Sequence, residues 1–134
     1  MYLENEIECA TKIKDEIPGL SDVAYDLATT LKEARFSLDK VFRVCSQQGV
    51  EIDLTEEEQN ELSMKVALVS SPQNVIQYAR LVQLVFQLNY FLKCFEKAIN
   101  SNLLPKKIHN EIELLYSKLD KYRALVESEY VTKI

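Results

Sequence analysis

Backbone punctuation is so sparse in this chain that little but helix fits between the marks. Two glycines and three prolines are spread over 134 residues, as Pro18-Gly19, Gly49, Pro72 and Pro105. A small β-sandwich or barrel needs many tight turns, and tight turns draw on glycine and proline. Five such residues do not supply them. The marks divide the chain into five pieces, and each carries apolar residues at helical spacing.

The first piece, about residues 2–17, places Leu3, Ile7, Ala10, Ile13 and Ile17 at three- and four-residue steps along one stripe. Pro18 ends it by removing a donor and pushing Ile17 out of the α region. In the second, Ala24, Leu27, Leu31, Ala34, Leu38, Val41 and Cys45 alternate three and four, the seam along which long helices pack at a shallow angle. Ser21 is expected as its N-cap, with Leu20 stapled onto Tyr25, and Gly49 as its left-handed close. Residues 50–54 form an extended link that drops Ile52 and Leu54 onto the bundle. Thr55 and Glu58 match a capping box for a short third helix carrying Leu62, Val66 and Val69. Ser71-Pro72 opens a long fourth helix running to about Asn100. The fifth begins near Pro105 and continues to about Val131, with the seam Ile108, Ile112, Leu115, Leu119, Tyr122 and Val126. The expected fold is one all-α domain over residues 1–134, an up-and-down antiparallel bundle of four long helices plus one short helix.

The segment 72–100 departs from simple amphipathicity. Seventeen of its residues are apolar. Its polar residues change sides near Leu88: Gln77, Arg80, Gln83 and Gln87 fall on one face, and Asn89, Lys93, Glu96 and Asn100 on nearly the opposite one. Three arrangements would produce this: a central helix covered by different neighbours at its two ends, a break near Asn89, or an apolar face left for a partner.

Composition narrows the function classes. Apolar residues make up 47% of the chain and charged residues 28%, the profile of a folded domain. Sixteen basic against twenty-one acidic residues give a net charge of −5, the wrong sign for a chain that neutralises phosphates, so nucleic acid is an unfavoured partner. Polar interruptions between Val75 and Ile99 exclude a membrane-spanning reading, and the acidic start Met1-Tyr2-Leu3-Glu4 has no signal-peptide character. Cys9, Cys45 and Cys94 are odd in number and widely spaced, which fits reduced core thiols in a cytoplasmic protein.

Motifs for chemistry are thin. The lone histidine, His109, follows Lys106 by three residues and so cannot supply the paired Glu-x-x-His ligands of a di-iron bundle. It is expected in the first turn of its helix beside Glu113. Glu51, Asp53, Glu56, Glu57, Glu58 and Glu61 form an acidic run, and Glu58-Gln59-Asn60-Glu61 provides one half of the carboxylate set that holds magnesium in helical nucleotide pyrophosphatases. No Glu-x-x-Asp follows to complete it. Capping a helix N-terminus accounts for these acids. In the other direction, Arg80 to Lys107 holds five bases and one acid.

The function expected is therefore a non-catalytic protein–protein interaction module, of adaptor or inhibitor type, without a cofactor. Its partner would be another protein or a second copy, bound through an apolar strip on helix 72–100. Tyr78, Tyr90 and Phe91 are the expected anchors, and Lys93 and Lys97 the charged rim. Two alternatives stand beside it: a small acidic immunity- or antitoxin-like antagonist using the Glu51–Glu61 face, and an enzyme with a metal on Glu58 and Glu61.

Overall fold

A computed structural model describes residues 18–69 and 75–131. The expected first helix, 2–17, and the Ser71-Pro72 helix start lie outside the described residues. Four α-helices follow a 3-10 turn at Pro18–Val23: α1 (Ala24–Gln47), α2 (Glu56–Ala67), α3 (Val75–Ser101) and α4 (Lys106–Tyr130). Among the described residues the bundle thus has three long helices and one short one, with no strand beyond an isolated bridge between Val69 and Val131.

The heptad seam of α1 is buried along its whole length, from Ala24 to Cys45. Gly49 closes the helix at φ +78, with Gly49 N–H donating to Ser46 C=O and Val50 N–H to Cys45 C=O. These two bonds make a Schellman cap, which needs a residue without Cβ strain in the left-handed region. The start of α1 differs from expectation. The 3-10 turn carries the chain to Val23, which offers no capping side chain, so the helix begins three residues after Ser21. Leu20 is fully buried while Tyr25 is 87% exposed, so no staple joins them; Leu20 anchors the turn in the core instead.

Thr55 and Glu58 form both bonds of the capping box: Thr55 Oγ1 accepts from Glu58 N–H at 3.2 Å, and Glu58 Oε1 accepts from Thr55 N–H at 2.8 Å. Ser37 and Lys40 meet Glu111, and Tyr122 meets Asp26, which fixes α1 and α4 as antiparallel. Lys97 meets Glu58 and Lys65 meets Asn89, which does the same for α2 and α3. The chain therefore alternates direction from helix to helix.

The long helix α3 is the centre. It packs against α4, α1 and α2, and Leu81, Leu84, Leu88, Phe91, Cys94, Phe95 and Ala98 are fully buried. Part of its second polar run faces α2, where Lys65 meets Asn89 and Glu58 meets Lys93. The helix runs unbroken past Asn89, whose amide donates to Val85 C=O at 2.8 Å. One residue departs from the pattern: Gln87 lies on the polar side of the sequence wheel, yet it is 0% exposed and neither amide atom finds a hydrogen-bond partner in the protein. An unpaired buried amide retains its desolvation penalty. Replacing it with an apolar side chain of similar shape, Gln87→Met, is expected to raise unfolding free energy by about 1 kcal/mol, and a decrease in urea denaturation would contradict this. Phe95→Ala, in contrast, should lower it by about 3–5 kcal/mol through the cavity left behind.

Candidate functional site

The five residues expected to form a binding strip are separated by the fold. Phe91 is fully buried and Tyr90 nearly so, while Tyr78, near the start of α3, is 37% exposed. The two inner aromatics belong to a packed series in which Phe86 stacks on Tyr90 and Phe91 on Phe95, with ring centroids 6.0 and 6.3 Å apart. Tyr90 and Phe91 face the neighbouring helices and not solvent, so the anchor pair is core.

Lys93 and Lys97 turn inward as well. Glu58 accepts from Lys97 Nζ at 3.0 Å and lies 3.7 Å from Lys93 Nζ. Lys97 also donates to the Asp53 carbonyl, and Tyr90 OH donates to Asp53 Oδ1 at 3.2 Å. One member of the acidic run, Glu58, thus meets two of the basic run, Lys93 and Lys97, across the α2–α3 contact, while Glu51, Glu56, Glu57 and Glu61 are exposed. A second brace lies one turn along: Asn89 accepts from Lys65 Nζ and donates to Glu127, and Glu127 also meets Lys65 and Arg123. A cavity of about 200 Å³ lies beside these braces, and its walls include both carboxylates of the metal alternative, Glu58 and Glu61, together with Leu62, Lys65, Asn89 and Lys93. Two lysines on Glu58 compete with any cation there, and among the described residues no cluster of three His, Cys, Asp or Glu side chains converges as metal ligands would. His109 Nε2 lies 2.8 Å from Glu113 Oε1, in the first turn of α4 where the sequence puts it.

The electrostatics match a brace. Burial pushes the Glu58 carboxyl upward, but the Thr55 N–H and the hydrogen bond and charge of Lys97 outweigh it and leave the pKa below its ordinary value. Burial, reinforced by the Asp53 charge, lifts the Cys94 thiol to about 12. Cys45 is raised chiefly by burial too. Both thiols are buried and free.

The surface feature that sequence reasoning missed lies elsewhere. Phe36 on α1 is 62% exposed and Leu114 on α4 is 72% exposed, and both border a groove of about 520 Å³ between the two helices. Glu33, Ser37, Glu111, Leu115, Ser117 and Lys118 complete its walls. The groove exists because α1 and α4 each turn their seam toward α3, which leaves their outer flanks unpacked. A signal was present: Phe36 lies outside the Ala24–Cys45 seam, and Leu114 precedes the seam residue Leu115. Large apolar residues off the seam face water unless another body covers them.

Two measurements test these assignments. Because the folded pKa of Glu58 is depressed, its contribution to stability is present above the unfolded value near 4.5 and is lost as pH falls through the folded one. Glu58→Gln should therefore flatten the decline of melting temperature below about pH 4.5, and an unchanged acid limb would remove the brace from the account. In native protein at pH 8, iodoacetamide should leave Cys45 and Cys94 unmodified until denaturant is added, as peptide mass mapping would read. Modification without unfolding would show that the thiols are reached in the folded state.

No protein-family model, curated protein or solved structure matches this chain.

Proposed function

We propose that this chain is a non-catalytic protein-interaction module that receives its partner in the groove between α1 and α4. One observation carries the reading: among the described residues, Tyr25, Phe36, Met64, Tyr78 and Leu114 are the large hydrophobics that stand exposed, and two of them, Phe36 and Leu114, border one groove large enough for side chains. Apolar groups clustered on a concave surface are what the centre of an interface is made of. The charged clusters elsewhere give less support to catalysis, because Glu58, Lys93, Lys97, Lys65 and Glu127 are consumed in pairing with one another. A cytoplasmic setting accords with the two buried free thiols.

The groove therefore takes the place of the strip first expected on helix 72–100. Phe36→Asp and Leu114→Asp are surface changes and should alter unfolding free energy by no more than about 0.5 kcal/mol. Affinity capture from the source cells should retain a protein on the wild-type chain and lose it on either variant. Identical retention by all three would place the binding surface elsewhere.

A further inference from the structure

We infer that α2 and the end of the link before it form a hinged flap, latched by Lys97, which opens off α3 as one unit while the three long helices stay packed. Among the described residues α2 packs on α3 alone, and it reaches α4 through the side chain of Lys65. Its footing is narrow. Leu54 and Leu62 are the buried ridge beneath it, and both border two hollows. One, of about 200 Å³, is shared with Lys65, Asn89 and Lys93; the other, of about 270 Å³, is shared with Ser63, Phe86 and Tyr90. A ridge with a hollow on each flank forgoes the dispersion contacts that continuous packing would supply.

Both ends can pivot. Residues 51–54 make no backbone–backbone hydrogen bond among the described residues, so the link bends without breaking a ladder. Ile52, 2% exposed, is the fixed point on that side. On the other, α2 ends before Leu68, and Val69 is held by its bridge to Val131. Between these points the hold is mainly polar and converges on one ammonium. Lys97 Nζ donates both to the Asp53 carbonyl and to Glu58 Oε1, the latter at 3.0 Å, so a single side chain fastens link and helix together. Tyr90 OH on Asp53 Oδ1 and Lys93 beside Glu58 support it, and Lys65 on Asn89 and Glu127 holds the far end.

Cys94 lies beneath this flap. It is fully buried, and the charges acting on its thiol are those of Asp53, Lys97 and Glu58, which belong to the link, the latch and α2. Cys45 sits in the α1 seam with its thiol against Ser101, so it stays covered when α2 lifts. A lifted α2 also loses protection of its own amides, because an isolated helix of 12 residues is marginal in water. Local opening and global unfolding therefore leave different traces on the two thiols.

The test follows the full chain through urea concentrations too low to change its circular dichroism. Amide exchange read by mass spectrometry should be at least about 100-fold faster in residues 59–68 than in the slowest peptides of α3 and α4, with a weaker dependence on urea, as opening of part of a structure gives. Iodoacetamide at pH 8 should reach Cys94 in this range and Cys45 only with global unfolding. Lys97→Met keeps the apolar stem and removes the ammonium, and it should speed both α2 exchange and Cys94 modification by about 10-fold. If α2 amides share the rate and urea slope of α3, or if Cys94 is modified only together with Cys45, no flap opens. Fast α2 exchange with Cys94 still protected would mean that the helix frays in place, which overturns the inference as well. Unchanged rates in Lys97→Met would remove the latch and the inference with it. Should that variant fail to fold, exchange and labelling of the wild-type chain still decide.

Discussion

Everything in this molecule is arranged around the desolvation of one helix. The apolar girth of α3 is too wide for a single neighbour, so three helices surround it, and their positions follow from what each can cover. The long helices α1 and α4 turn heptad seams toward it, and α2 covers the flank that remains. Fully burying a large aliphatic or aromatic side chain contributes about 1.5–3 kcal/mol. Leu81, Leu84, Leu88, Phe91 and Phe95 all lie on α3 and are all sealed from solvent, so this helix dominates the favourable side of folding. Its aromatic rings also pack within about 6 Å of one another along the helix, which limits how the neighbours can slide.

Charge then orders what hydrophobic burial leaves loose. The short helix α2 buries only Leu62 within its own span, too little to hold a 12-residue helix by packing alone. Its capping box satisfies the first donors, and Glu58 reaches across to Lys93 and Lys97 while Lys65 reaches Asn89 and Glu127. These braces tie α2 to both α3 and α4. Half-buried pairs of this kind are screened less than exposed ones, and several sharing a carboxylate act as a network. The residues in these braces thereby lose the freedom to serve a ligand, so Glu58, Lys93 and Lys97 are structural.

Periodicity made most of the architecture legible. The seams of α1 and α4, the Gly49 cap, the Thr55–Glu58 box and the buried link residues Ile52 and Leu54 are local patterns whose physics does not depend on the partner helix. The side change in polar residues along α3 marked it as unusual and left a central helix as one of three arrangements, which its packing against α1, α2 and α4 selects. The site was not legible in the same way. Tyr90 and Phe91 are apolar on either reading, and periodicity does not say whether a wide apolar face meets its own chain or another. Lys93 and Lys97 resembled a rim because nothing in linear sequence shows that Glu58, some forty residues earlier, lies across from them. The start of α1 failed for a related reason: Leu20 has a better use in the core than as a staple, and the backbone spends a 3-10 turn in bringing it there.

A division of labour follows from the geometry of packing three long helices. In such a cluster each helix can turn one stripe to the common core, and the outer flanks of neighbouring helices meet in furrows. Most positions in a furrow are polar in a chain selected only to fold, since nothing there is desolvated. Phe36 and Leu114 break that expectation on the two walls of one groove between α1 and α4. Neither contributes to the core, so neither is accounted for by the burial that organises α3. The residues that hold this molecule together and the residues that border the groove are therefore distinct sets on the same two helices, separated by the turn of the helix: inward stripes for stability, and an outer furrow that we propose for recognition.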